Sequence, residues 1–177
     1  KAGEDKRYQE ILKGYGENAQ SKAFLRLFML QAGLQYLISA AILRINHIDP
    51  KPVGIATWVG LVIFAIGFVF EAVADAQLAA FKRDPKNKGK ILQSGLWRTS
   101  RHPNYFGESL VWLGLAVMSL GYSWGWLALI SPAVITYLLL FVSGIPIQEK
   151  GKGERPEWRE YASRTPRFVP FIGSKKF

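Results

Sequence analysis

An all-α, polytopic membrane fold is what this sequence predicts, and three observations predict it. The chain is 49% hydrophobic over 177 residues yet carries a formal charge of +10, a mixture that suits a soluble globule poorly until the charges are seen to be segregated. Residues 53–70 (VGIATWVGLVIFAIGFVF) and 109–147 hold no charge, and the second run is long enough for two helices once split at Gly121, Tyr122 and Ser123. Lys and Arg then fall almost wholly on one side: 21 flank the ends that share a side with the N-terminus, and only Arg44 and Lys51 lie opposite.

A bilayer core of ~30 Å takes about 20 apolar residues per helix. The first span expected is 24–44, uncharged from Leu27 to Leu43 although it holds Gln31 and Gln35. The second is 54–75, after a turn, INHIDPKP, with two prolines. The third, 104–121, and the fourth, 124–144, are joined by GYSWGW, and Pro132 is expected to kink the fourth. The positive-inside tendency places both termini and the long middle loop in the cytoplasm or its topological equivalent. The domain plan is a polar N-terminal segment 1–23, a membrane domain 24–147 with a cytoplasmic loop 76–103, and a tail 148–177. The bilayer is thus the partner that accounts for the basic excess, and nucleic acid is not needed. A polar cytoplasmic start without Met predicts further residues upstream.

Zero cysteines remove disulfides, thiolate metal sites and a Cys nucleophile. The histidines, His47 and His102, fall on opposite sides of the membrane on this topology, so a two-histidine metal site is not expected. Neither a G-x-G-x-x-G nor a G-x-x-x-x-G-K-[ST] phosphate loop occurs.

Chemistry concentrates at the cytoplasmic ends of spans two and three. Glu71, Asp75, Leu78 and Lys82 succeed one another at spacings of 4, 3 and 4, which puts them on one helical face. An ionised carboxylate facing lipid there would cost at least ~2.5 kcal/mol, so Glu71 and Asp75 are expected to face protein, water or a ligand rather than acyl chains. The bland alternative is a helix end emerging into water. Lys86, Lys88 and Lys90 read as plain attraction to anionic lipid. In GLWRTSRHPNYFGE (95–108), Pro103 suits the first position of a helix, whose positive end then lies beside Arg98, Arg101 and His102. Asn104 and Glu108 stack one turn apart at membrane depth and need partners; a carboxamide would satisfy both. Cations for phosphate beside acceptors for hydroxyls describe a nucleotide site. Taken alone, His102-Pro103 is equally a helix cap.

FEAVADAQ...FK (70–82), NKGK...GLWRTSRHPNYFGE (87–108) and ERPEWREYASRTPRFVPF (154–171) resemble the steroid 5-alpha-reductase superfamily. The similarity covers nearly the whole chain, with a specific core at 70–108. The piece R-H-P-x-Y-x-G is also similar to isoprenylcysteine carboxyl methyltransferases. The resemblance implies a bundle of about seven spans, of which this chain is the C-terminal part. It also implies NADPH bound from the cytosol and hydride transfer to an enone-type double bond of a lipidic substrate such as a sterol. It assigns Asp75 and Lys82 to the adenosine and phosphate portion, Arg98 and Arg101 to the phosphates, and Asn104 to the nicotinamide carboxamide; Glu71, on the same helical face as Asp75, is read from that face as a further cofactor-binding acceptor for ribose hydroxyls or an amide. Glu108 would line the reaction chamber, with Tyr105 or Glu108 as proton donor, and Arg155, Arg159 and Tyr161 of the tail would close over the cofactor. The early helices that hold the substrate carbonyl in that family have no counterpart here. Two other readings stand beside it: an S-adenosylmethionine-dependent methyltransferase holding its cofactor's carboxylate at the same turn, and a reductase-like accessory subunit among other membrane subunits.

Overall fold

The computed structural model describes residues 53–172 and positions 33, 36 and 39. The chain divides into two compact units, Lys1–Ser39 and Ala40–Phe177, and the elements and contacts below belong to the second. Apart from positions 33, 36 and 39, which are helical, the first expected span lies outside the described residues, as do the N-terminal segment and His47. No strand occurs among those described.

The uncharged run after Gly54 forms α1, Ile55–Arg83, whose 29 residues extend for about 44 Å. Its last turn carries Lys82 and Arg83, which complement the negative end of the helix dipole. Ile55, Trp58, Val62, Ile66, Val69 and Val73 point outward and are exposed, while the buried positions are Gly60, Gly67 and Ala74, seven residues apart. A helix apolar around most of its surface and buried along one seam of small residues is suited to lipid, not water.

That seam receives α2, Pro103–Ser119, where Pro103 opens the helix as its fixed φ and missing N–H predict. Gly107 and Gly114 repeat the seven-residue spacing on this side. A Cβ on Gly67 would come within 2.7 Å of the Gly107 carbonyl oxygen, and one on Gly114 within 2.5 Å of the Phe64 nitrogen. Backbone meets backbone along the pair, the packing that small residues permit where no hydrophobic effect drives helices together.

A tight turn comes next. Tyr122 N–H donates to the Ser119 carbonyl at 3.0 Å and Gly125 N–H to the Tyr122 carbonyl at 2.9 Å, with Trp124 in the left-handed region at φ 62°. Gly125 is obligatory, since a Cβ there would overlap the Ser119 carbonyl oxygen. The chain then runs from Gly125 to Glu149 through a 3-10 stretch (Gly125–Leu129), α3 (Ile130–Tyr137), a π-helical turn (Leu138–Val142) and α4 (Ile145–Glu149). Pro132 sits in the first turn of α3, where its missing N–H matters least. The irregularity falls later, at the π turn, where Ser143 N–H reaches back five residues to the Leu138 carbonyl at 2.8 Å. The last helix, α5 (Pro156–Arg164), buries Trp158, Tyr161 and Ala162.

Ile55–Arg83 and Gly125–Glu149 are each long and apolar enough to cross a membrane, as an integral membrane protein requires. They correspond to the second and fourth expected spans. The third, α2, has 17 residues and is shorter than the ~20 that a full crossing takes.

Candidate functional site

The loop between α1 and α2 is tied to α1 by polar side chains. Trp97 donates its indole N–H to the Ala74 carbonyl at 3.0 Å and packs with Ala74 and Leu92. Gln77 accepts from the Leu96 N–H at 3.0 Å, and Asn87 Nδ2 donates to the Phe81 carbonyl at 3.0 Å. The tail completes the frame from the other side. Tyr161 donates its hydroxyl proton to the Trp97 carbonyl at 2.5 Å, Ser100 Oγ donates to the Phe168 carbonyl at 2.6 Å, and Arg101 N–H to the Pro166 carbonyl at 2.9 Å. Residues 97–101 are thus gripped between α1 and the tail, which aims the start of α2.

Between these elements lies a cavity of about 510 Å³, within the ~300–1,000 Å³ usual for ligand sites. Lys82, Arg83, Lys88 and Lys90 line it from α1 and the loop, Arg101 from the motif, and Lys152 and Arg155 from the tail; Asp84 is the carboxylate on its wall. Seven Lys and Arg side chains against one carboxylate give its wall a net positive charge.

Beneath it, Glu149 gathers three nitrogen donors: His102 Nε2 at 3.0 Å, Arg101 Nη1 at 3.2 Å and Arg167 Nε at 3.7 Å. Arg101 is 1% exposed and His102 4% exposed. Burial pushes the Arg101 guanidinium below its usual value, with Glu149 opposing and Arg167 adding to the fall. Burial likewise holds His102 below 6.5 against the hydrogen bond and charge of Glu149. Burial also drives the Tyr161 phenol upward, so it remains a hydrogen-bond donor throughout the physiological range.

Of the residues singled out from the sequence, Lys82, Arg101, His102, Asn104, Tyr105, Arg155 and Tyr161 line the cavity. Asp75 joins them through Asn104, whose Nδ2 donates to Asp75 Oδ1 at 3.0 Å. The Asn104 Oδ1 is sealed from solvent and accepts no hydrogen bond. Tyr105 stacks on His102, ring centroids 5.5 Å apart and 6° from parallel. Glu71 and Glu108 lie farther along the α1–α2 seam, beside Gly107, and do not line the cavity. Arg98 is exposed at the end of its 3-10 turn, outside the cavity wall, and Arg159 reaches only the Glu154 carbonyl, at 3.5 Å. Sequence reasoning did not single out Glu149, Lys152, Trp97 or the glycine seam. The seam had a signal, since Gly60, Gly67, Gly107 and Gly114 repeat at seven residues in both spans. Glu149 had one too, as a carboxylate just beyond an uncharged run of 39 residues.

A family model described as "Protein of unknown function (DUF1295)" matches residues 1–165. Among curated proteins, the chain is similar to "Probable O-methyltransferase ustE" of Ustilaginoidea virens, 42% identical over 37% of this chain and 23% of that protein. It is also similar to "Steroid 5-alpha-reductase DET2" of Gossypium hirsutum, 39% identical over 38% of this chain and 24% of that protein. "Uncharacterized protein C594.04c" of Schizosaccharomyces pombe is 30% identical over 69% of this chain and 41% of its own length. The matched stretches therefore cover less than half of each relative. No solved structure matches. With all but the last twelve residues inside the family model, the chain belongs to the DUF1295 family, a branch of the steroid 5-alpha-reductase superfamily.

Proposed function

We propose that this chain builds the cofactor site of a membrane-embedded, NADPH-dependent reductase that saturates a double bond in a lipidic, sterol- or enone-like substrate. The observation that carries the reading is the charge of the cavity wall, seven Lys and Arg side chains against Asp84. A dinucleotide with several phosphates matches it; S-adenosylmethionine has none. The steroid 5-alpha-reductases of plants among the relatives point the same way.

The donor set fits the group. Asn104 sets an amide on the cavity wall of the kind that pairs with a carboxamide, and Asp75 fixes its rotamer through Nδ2. Lys82 and Arg155 hold charge at the cavity rim, while Asp75, joined to the cavity through Asn104, supplies an acceptor for a hydroxyl at its edge. The bound cofactor would supply the hydride. The protein's own part is orientation and exclusion of water, with Trp97, Trp158 and Tyr161 closing the wall. We assign proton delivery to the hydroxyl of Tyr105, whose ring lies flat against His102 on the cavity wall, with Glu108 as the second candidate. The site lies at the helix ends assigned to the cytoplasmic side, facing a substrate drawn from the bilayer.

A second reading, a methyltransferase, draws on the 42% identity to a probable O-methyltransferase. Titration of the detergent-solubilised chain with NADPH and with S-adenosylmethionine separates them. NADPH binding at micromolar concentration with no response to S-adenosylmethionine is the expected outcome; the reverse overturns the reductase.

A further inference from the structure

Lys152 stands outside the residues that the sequence marked, yet its ammonium is held in a defined place. It opens the short turn Lys152–Glu154, is half-buried, and lines the cavity with its Nζ 4.6 Å from the centroid of the Trp158 ring. Trp158 is a fixed platform. It is 4% exposed, meets Tyr161 edge-on at 5.5 Å, and packs with Ala162 and Ile91. A cation over an indole face gives up much of the freedom of its four-carbon stem, so the charge is presented rather than merely nearby.

Lys82, from the end of α1, and Arg155, from the start of α5, line the same cavity. Arg155 Nη2 donates to the Gly89 carbonyl at 2.6 Å, which stations its guanidinium on the rim, and its other charged neighbour is the exposed Glu157 at 3.9 Å. After burial, the charges of Lys82 and Arg155 push the Lys152 ammonium down, against Glu149, whose carboxylate already serves Arg101, His102 and Arg167. Three cations, one from α1 and two from the tail, therefore line a single space large enough for a ligand. Like charges gathered this way cost free energy unless a multiply charged anion relieves them.

We infer that Lys152, steadied by Trp158, completes with Lys82 and Arg155 a subsite for a phosphate monoester dianion, and that it reads the extra phosphate separating a phosphorylated dinucleotide from its unphosphorylated counterpart. The inference rests on the proposed dinucleotide function for the source of that phosphate, and the subsite itself is defined by its three cations. Its chemistry is also that of a phosphatidic acid headgroup, so the test must separate the soluble source from the lipid one.

Calorimetric titration of the detergent-solubilised chain with NADPH, NADH and inorganic pyrophosphate makes the test. Lys152→Met is expected to weaken NADPH and pyrophosphate at least tenfold while NADH changes by less than twofold; Lys152→Arg, which keeps the charge and the stacking, restores most of the loss. Trp158→Phe, which narrows the platform, is expected to lose part of the preference for NADPH over NADH. Equal weakening of NADPH and NADH in Lys152→Met, or no change in either, overturns the subsite while leaving the dinucleotide reading in place. If wild type takes no dinucleotide, the reading falls, and Lys152-dependent pyrophosphate binding alone still supports the subsite whereas its absence overturns it. Displacement of pyrophosphate by phosphatidic acid in mixed micelles at equal concentration, undone in Lys152→Met, assigns the site to lipid and overturns the soluble source. Should Trp158→Phe fail to fold, the two Lys152 variants carry the decision.

Discussion

Asn104 donates its Nδ2 proton to Asp75 Oδ1 at 3.0 Å, so the first turn of α2 and the last third of α1 meet through one polar contact at the edge of the cavity. The two residues lie 29 positions apart, and their meeting unites the two halves of the site. Replacing Asn104 by Ala removes that bond and the sealed Oδ1. NADPH affinity is expected to fall by about tenfold, the equivalent of ~1.4 kcal/mol. The loss of one half-exposed hydrogen bond is expected to lower stability by only ~1 kcal/mol. Calorimetry and thermal unfolding of the same preparation check both expectations, and unchanged affinity would sink the placement of the carboxamide at Asn104.

Gly67→Ala is expected to destabilise by about 1–3 kcal/mol, because the added methyl meets the Val111 nitrogen at 2.6 Å and the Gly107 oxygen at 2.7 Å, backbone atoms that no rotamer change can move aside. Gly153→Ala, with nothing within 4 Å of the added carbon, is the control and should leave the unfolding midpoint where it was. Thermal unfolding in detergent compares the two.

Glu149→Gln leaves the wholly buried Arg101 side chain without its carboxylate, and is expected to cost about 3–5 kcal/mol. Arg101→Met in the same chain should recover part of that, since an apolar side chain of similar length carries no charge to neutralise. Denaturant midpoints of the single and double variants decide.

Below pH 6.5 an unfolded chain takes up a proton on His102 that the folded chain resists, because burial depresses the folded value. Stability contributed by neutral His102 is therefore present above 6.5 and lost as pH falls through that value toward the lower, folded one. The melting temperature is expected to decline from about pH 7 to about 5.5, and the decline should be shallower in His102→Asn, which carries no titrating ring. A steeper decline in that variant would show that another group governs the acid limb.

Tyr161→Phe deletes the donor to the Trp97 carbonyl and leaves that oxygen buried, an expected loss of about 1–3 kcal/mol. Hydrogen exchange should quicken across residues 95–102 before it quickens in α1, since the tail grips that stretch through Tyr161, Ser100 and Arg101.

The helical class, the second and fourth spans and the start of α2 at Pro103 were legible because long uncharged runs and an N1 proline are local signals. So was the convergence of Asp75, Lys82, Arg101 and Asn104, which comes from helix periodicity and a shared membrane face. Arg98 shows the limit of that logic. It sits three residues from Arg101, but the 3-10 turn that buries Trp97 leaves Arg98 exposed, and which side chain such a short turn buries cannot be read from spacing. The partners of Glu149 and Lys152 were harder to read: His102 lies 47 residues before Glu149, and the Lys152 ammonium meets Trp158 only through the turn between them. The glycine seam was readable from its period but carries no charge or aromatic character to draw attention.

Because α1 and α2 touch main chain to main chain at Gly60, Gly67, Gly107 and Gly114, the two behave as a single rail with no cushion of side chains to compress. Splaying them would forfeit close contact along the whole seam at once. The tail meets the loop differently, through separate polar contacts such as Arg155 to the Gly89 carbonyl and Arg164 to Gln93, which can yield one at a time.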